Sequence, residues 1–215
     1  QGAFFCALIC VIYVNLQHNR YNINHKINLK FITSKTMSIQ KNWISFFYKS
    51  ATGSKKLRTL LTPVGLLIFG TFVSVFVLAA IYCDNILSLP KLSLGIWSEI
   101  VSVLFSLFGL FYIIWSITHF LKVKGTPVTL NPPPKLVCVG PYAYTRNPML
   151  TGVFSLFFGI GFWIGSLSLI LIFTPIFILL NTLELKIIEE PELEKRLGEE
   201  YMIYKKRTPM FIPRI

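Results

Sequence analysis

The stretch from position 147 to position 183 contains no aspartate, glutamate, lysine, arginine or histidine, and this restricts the folds open to the chain. Such a run is typical of membrane-spanning helices, because charged side chains are costly in hydrocarbon. As one helix it would be about 55 Å long, whereas the hydrocarbon core of a bilayer is about 30 Å thick. A glycine-rich region leads into the GSLS stretch at 165–168. The run therefore predicts two helices, over about 149–164 and 168–188, joined by a tight turn.

Two earlier runs, 63–82 and 100–118, are also long and apolar enough to span a bilayer. The whole chain is 53% hydrophobic and only 14% charged, which lies outside the usual balance of soluble proteins. We therefore expect an integral, multi-pass membrane protein of the all-α class. Its architecture is a transmembrane helical bundle with about four core spans, the last two forming a hairpin, and a short cytoplasmic amphipathic C-terminal helix.

Lysine and arginine are concentrated before the first span, between the second and third spans, and after the fourth. Cytoplasmic flanks of membrane helices are enriched in these two residues. All three basic segments fall on one side of a four-span arrangement, so both chain ends and any site built from these segments are expected on the cytoplasmic face. The loops 83–99 and 165–168 then lie on the other side.

The net charge of +12 does not by itself indicate nucleic-acid binding. Nucleic-acid binders cluster basic residues on one folded polar face, whereas here much of the excess precedes the first convincing span, so no nucleic-acid partner is expected. The four cysteines, Cys6, Cys10, Cys83 and Cys138, form no CxxC pair or ligand cluster. Neither a disulfide framework nor a metal site is predicted.

The chain divides into three expected regions. Residues 1–36 are an uncertain N-terminal extension: either the end of a truncated span or hydrophobic signal, or sequence upstream of a start at Met37. Residues 37–121 hold a basic cytoplasmic segment and the first two spans. Residues 122–215 hold a polar loop, the hairpin and a charged tail.

The polar segments of the last region carry the candidate chemistry. The loop before the hairpin contains repeated prolines, which exclude a regular helix and predict a stiff, ordered loop. In the tail, Leu193, Leu197, Tyr201 and Tyr204 recur at helical spacing, and a surface helix is expected to begin near Glu189–Glu190. Loop and tail face the same cytoplasmic crevice in this topology.

Two motifs flank the hairpin: GPYAYTRNPMLTG at 140–152 and EEPELEKRLGEEYMIYKKRTPMFIP at 189–213. Together they resemble the isoprenylcysteine carboxyl methyltransferase family, whose relatives include the phospholipid N-methyltransferases. The resemblance covers about residues 124–215. The family pattern is Gly-x-Tyr-x-x-x-Arg-His-Pro, a helical hairpin, a Glu-Glu pair, Phe-Gly-x-Glu-Tyr-x-x-Tyr and a Pro-x-x-x-Pro ending. Its counterparts here are Gly140, Tyr142, Arg146, Asn147, Pro148, Glu189, Glu190, Leu197, Gly198, Glu200, Tyr201, Tyr204, Pro209 and Pro213.

The resemblance implies a membrane enzyme that transfers a methyl group from S-adenosyl-L-methionine to a lipid or lipid-modified small molecule drawn from the bilayer. It implies no oligomeric state. The residues that it implies for catalysis are Arg146, Glu189, Glu190 and Glu200. Those that it implies for cofactor binding are Pro134, Lys135, Leu136, Val137, Tyr142, Asn147, Pro148, Met149, Leu150 and Glu189.

Departures from the family pattern leave the function open between three alternatives. Asn147 replaces the family histidine and cannot shuttle a proton near neutral pH, so its expected role is binding. Leu185 stands where the prenylcysteine enzymes have a substrate-contacting arginine, which weakens the case for a prenylcysteine carboxylate as the acceptor. The alternatives to a carboxyl methyltransferase are an ethanolamine-type phospholipid N-methyltransferase, and a catalytically silent membrane scaffold or transporter with the same fold.

Overall fold

The computed structural model describes residues 38, 40–49, 52–122 and 135–212, and every regular element among them is helical. The N-terminal extension 1–36 and Pro134 lie outside the described residues. The helices are α1 (40–49), α2 (Lys55–Ile86), α3 (Ile96–Lys122), α4 (Pro141–Tyr144), α5 (Pro148–Ile164), α6 (Thr174–Glu184), α7 (Glu190–Leu197) and α8 (Glu199–Arg207). Two π-helical turns, Leu169–Phe173 and Leu185–Glu189, join α6 to its neighbours.

Within the described residues, three helical segments are long and apolar enough to cross a membrane: Thr62–Ile86, Ile96–Lys122 and Leu169–Leu197. The helix α5, expected as the third of four spans, is apolar but has only 17 residues. At 1.5 Å per residue it is about 25 Å long, somewhat less than the hydrocarbon core. The all-helical membrane architecture is confirmed, and the expected number of spans is confirmed only in part.

The predicted hairpin turn is present and is held by α2. Gly165 ends α5 with a positive φ of 70°, a conformation that glycine adopts without strain. The Asp84 carboxylate near the end of α2 accepts hydrogen bonds from the Ser166 hydroxyl and, at 3.0 Å, from the Ser168 N–H. The loop after α2 also donates from Leu92 N–H to the Gly165 carbonyl at 3.0 Å. These bonds satisfy backbone groups that the turn leaves open.

Small residues bring α3 and α5 into close contact. A Cβ added to Gly109 would lie 2.6 Å from the Gly152 carbonyl oxygen, so no larger side chain fits there without displacement. Two serines then bond across the interface. Ser102 Oγ donates to the Gly159 carbonyl at 2.8 Å, and Ser155 Oγ donates to the Phe105 carbonyl at 2.7 Å. Small and hydroxylated residues are the usual contacts between membrane helices.

An aromatic cluster ties the hairpin to α2. Phe157 of α5 and Phe177 of α6 are buried, with ring centroids 4.6 Å apart. Phe72 and Phe76 of α2 pack on Phe177 at 5.4 and 5.3 Å. Phe154 joins the same cluster from α5. This packing fixes the position of the helix that carries the two glutamates.

Both π turns precede a proline by two residues. A proline has no N–H and its ring clashes with the carbonyl four residues earlier, and a wider π turn relieves this clash. After Leu185–Glu189 comes Pro191, which cannot donate to the Ile187 carbonyl; Gln40 Nε2 of α1 donates to it instead, at 2.9 Å. The helix therefore does not end at Glu189–Glu190 but continues as α7 to Leu197. Gly198, with φ 60°, then separates α7 from α8.

Candidate active site

The linker between α4 and α5, residues 145–147, is bound to the C-terminal residues 208–212, which we call the strap. The N–H groups of Arg146 and Asn147 donate to the Pro209 and Met210 carbonyls at 2.9 and 3.2 Å. The Thr145 hydroxyl and the Asn147 amide also donate to Met210, at 2.8 and 3.3 Å. In each bond the linker donates and a strap carbonyl accepts, so these hydrogen bonds depend little on the side chains of the strap.

Arg146 joins the linker to both α7 and the strap. Its Nε donates to the Thr208 carbonyl at 3.0 Å, and its Nη1 contacts Glu190 Oε1 and, at 3.4 Å, the Tyr201 hydroxyl. The other Glu190 oxygen lies 2.6 Å from Lys205 Nζ of α8. The side chains of Arg146 and Glu190 are only 11% and 8% exposed. Glu190 is therefore a buried carboxylate with a cation on each oxygen.

Glu189 differs from its neighbour Glu190. Among the described residues no hydrogen bond or ion pair reaches its carboxylate. Its charged neighbours are Glu184, Glu190, Glu192 and Arg196. Glu192 and Arg196 are paired with each other at 2.8 Å. The charge of Glu189 also acts on Tyr142 and Tyr201. Glu189 thus keeps its hydrogen-bonding capacity beside the two tyrosines.

Three buried tyrosines lie in the same region. The Tyr204 hydroxyl donates to the Tyr142 carbonyl at 2.7 Å, and the Tyr142 ring packs on Phe120 at 4.9 Å. Burial raises the pKa of both Tyr142 and Tyr204. Burial, together with the negative charge of Glu190, raises the pKa of Tyr201 to about 12. All three hydroxyls are neutral near pH 7 and can donate hydrogen bonds.

The charges of α8 are shaped by its neighbours. Hydrogen bonds to Glu190 and Glu194 raise the pKa of Lys205, which keeps this lysine charged. Glu200, a predicted catalytic residue, is exposed on the same helix. Burial and the Glu200 charge raise the pKa of the Cys138 thiol in the loop before α4.

The other predicted site residues fall into two environments. In the loop, Lys135 is exposed, Leu136 is half-buried and Val137 is buried. At the start of α5, Pro148 is buried, and Met149 and Leu150 are half-buried. Leu150 packs against the aromatic cluster. The structure brings Arg146, Asn147, Glu189, Glu190 and Tyr142 together, whereas Glu200 is exposed to solvent near Cys138.

Sequence reasoning missed several residues that hold this region together. Thr145 and Thr151 donate to strap carbonyls, and Lys205 completes the neutralisation of Glu190. Thr145 and Thr151 lie within the first motif, and this position was the one signal in the sequence that pointed to them. Within the part of the chain that the structure describes, no group of three or more histidine, cysteine, aspartate or glutamate side chains could hold a metal ion.

Residues 97–200 match the family model described as phospholipid methyltransferase. The match runs from the start of α3 into α8, so it contains the helix contact, the linker and both glutamates, but not the strap. No curated protein and no solved structure matches the chain. The resemblance seen in the two motifs is thereby confirmed. Residues 97–200 are therefore similar to the phospholipid methyltransferase family, and the long apolar helices support an integral membrane protein.

Proposed function

We propose that the chain is an S-adenosyl-L-methionine-dependent methyltransferase that acts on a lipid or another hydrophobic molecule taken from the bilayer. The observation that carries the proposal is the different state of two adjacent glutamates. Glu190 is buried and neutralised by Arg146 and Lys205, whereas among the described residues nothing bonds to Glu189. A carboxyl group kept without a partner beside buried tyrosines is suited to bind a polar or cationic ligand.

The residues present fit the proposed cofactor. Its ammonium and ribose hydroxyls are hydrogen-bond donors, and Glu189 offers two acceptor oxygens. The neutral Tyr142 ring is fixed on Phe120 and lies within the electrostatic reach of Glu189. When bound, the cofactor supplies a methyl group attached to a positively charged sulfur. Glu189 would hold its polar part, with the loop 135–137 and Asn147 as further contacts.

The remaining residues act by placement. Arg146 and Glu190 fasten the strap, and the strap keeps the linker 145–147 in one position. Methyl transfer needs the nucleophile held near the methyl group with water excluded, and little further chemistry from the protein. We therefore assign Arg146 and Glu190 as positioning residues. Glu200 is the candidate base for an acceptor that must first lose a proton.

One observation favours an amine acceptor over a carboxylate. Leu185 is 2% exposed and apolar, so at this position the site has no positive charge to attract a carboxylate. This supports an ethanolamine-type phospholipid as the acceptor, in preference to a prenylcysteine. The distribution of lysine and arginine supports a multi-pass arrangement with the site on the cytoplasmic face.

Binding of S-adenosylhomocysteine, the demethylated cofactor, to the purified protein tests the proposal by calorimetry. We expect binding by the wild type and a loss of about 1.5–3 kcal/mol, or roughly ten- to a hundredfold in Kd, for Glu189→Gln. The matched control is Glu194→Gln, which removes another carboxylate that contacts Lys205. This variant should bind S-adenosylhomocysteine as the wild type does. Absence of binding by the wild type would favour the scaffold alternative.

A further inference from the structure

An apolar groove of about 820 Å³ lies on the part of the molecule formed by α3, α5, α6 and the strap. Its lining includes Phe108 of α3, Phe158 of α5, Ile178 of α6 and Phe211 of the strap. The volume is within the range of small-molecule sites, about 300–1,000 Å³. The groove shares residues with the strap but none with the glutamates, so it is a separate feature of the site region.

The groove offers hydrocarbon surface and little else. The hydroxyls of its two polar residues, Thr151 and Ser155, are bonded to backbone carbonyls. Thr151 donates to the Asn147 and Phe211 carbonyls, at 3.1 and 3.3 Å, and Ser155 donates to the Phe105 carbonyl at 2.7 Å. A polar ligand would lose its hydration without compensation. Since α3 is long and apolar enough to cross a membrane, the medium around the groove is the hydrocarbon of lipids.

One end of the groove adjoins the candidate active site. Thr151 lies one helical turn after Asn147, and Phe211 follows Met210, whose carbonyl accepts the Asn147 amide. From Thr151 to Phe158 the groove follows α5 for about 10 Å. A chain lying in it would therefore place its polar end at the linker 145–147.

Phe211 closes the groove on the strap side. Its ring packs on Phe154 at 5.2 Å, and Phe154 in turn contacts Phe177 of the aromatic cluster at 5.9 Å. The strap is held by bonds from Thr145, Arg146 and Asn147. The position of the Phe211 ring is thus determined from both sides.

We infer that this groove holds a hydrocarbon chain of the methyl acceptor and that Phe211 determines which chains fit. The inference rests on the proposed function, because it assigns the chain to the molecule that is methylated. Lipid already surrounds the groove, so burial alone gives no preference, and selection between chains comes from shape. Apolar pockets distinguish ligands that differ by one methylene by roughly tenfold or more.

Photolabelling tests the occupant without requiring activity. The full chain in nanodiscs is irradiated with palmitic acid that carries a diazirine near its methyl end, and adducts are located by mass spectrometry. We expect adducts on Phe158 and Ile178 to exceed those on Leu179, an exposed α6 residue outside the groove lining, several-fold. Ile178→Trp should remove the groove adducts, whereas Leu179→Trp should not. Adducts spread evenly over exposed apolar residues would overturn the inference.

A second measurement follows the acceptor itself. With phosphatidylethanolamines of different acyl length as probes, Phe211→Ala should shift the preferred chain towards longer or bulkier acyl groups, with differences of about tenfold between chains. An unchanged preference would overturn the role of Phe211. Groove labelling in a protein that does not bind S-adenosylhomocysteine would refute the proposed function while leaving the groove as a lipid-chain site.

Discussion

Replacing Glu190 with glutamine is expected to release the strap from the linker 145–147. Glu190 receives Arg146 on one oxygen and Lys205 on the other, and its side chain is 8% exposed. Glutamine keeps the size of the side chain but removes its charge, so Arg146 remains buried without its counter-ion. Removing one partner of a buried ion pair costs about 3–5 kcal/mol. The contacts of Arg146 with the strap should weaken by a comparable amount.

Hydrogen–deuterium exchange measures this release at two amides. The N–H groups of Arg146 and Asn147 donate to the Pro209 and Met210 carbonyls, so they exchange only when the strap opens. A loss of about 3 kcal/mol corresponds to exchange roughly a hundredfold faster. Mass spectrometry of a peptide covering 143–149, from protein in nanodiscs, gives the rate.

Glu194→Gln is the matched control for this prediction. Glu194 also pairs with Lys205, at 2.9 Å, but it is 38% exposed. Exposed ion pairs contribute about 0–1 kcal/mol, so exchange at Arg146 should increase less than about fivefold. If Glu190→Gln leaves the two amides as slow as Glu194→Gln does, the buried pair does not hold the strap.

Three further predictions concern packing, topology and pH. Gly109→Ala should lower the free energy of unfolding by about 1–3 kcal/mol, because the new Cβ meets the Gly152 carbonyl. The control Gly70→Ala should not lower it, because nothing lies within 4 Å of the new Cβ. Equal thermal stability of the two variants in detergent would contradict the α3–α5 contact. In a Cys6→Ser, Cys10→Ser background, an impermeant maleimide should label Cys138 only from the cytoplasmic side. The reaction should be slower than that of a free thiol, because burial raises the pKa of Cys138. Labelling of Cys83 from that same side would refute the topology. The pKa of Tyr201 is raised to about 12 in the folded state, so the unfolded state loses this proton from about pH 10 while the folded state keeps it. The free energy of unfolding should therefore fall as pH rises towards 12. Tyr201→Phe should reduce the slope of this fall, and an unchanged slope would refute the assignment.

The membrane architecture was predictable because it depends on local composition. An uncharged run, its glycine-rich middle and basic flanks required only the thickness of a bilayer to predict a hairpin, and α5 and Gly165 lie where it was expected. The end of the following helix was not predicted correctly. A separate surface helix was expected to begin near Glu189–Glu190, but the π turn Leu185–Glu189 accommodates Pro191 and the helix continues.

The candidate site was predictable in its members but not in their roles. The motifs indicated Arg146, Glu189 and Glu190 as a group, yet only the structure shows that Glu190 is neutralised and that Glu189 is not bonded among the described residues. The strap could not be inferred, because its contacts join residues 62 and 65 positions apart through backbone carbonyls. Backbone acceptors leave no pattern in side-chain sequence.

Transfer of a labelled methyl group tests the central claim most directly. Purified protein in liposomes that contain phosphatidylethanolamine is incubated with S-adenosylmethionine carrying a radioactive methyl group, and the label in the extracted lipids is counted. We predict labelled lipid from the wild type and from Glu194→Gln, and a reduction of roughly tenfold or more for Glu189→Gln at a cofactor concentration below the wild-type Kd. Equal labelling by wild type and Glu189→Gln would contradict the role of this carboxylate, and no labelled lipid from the wild type, with any extracted lipid as acceptor, would contradict the proposed activity.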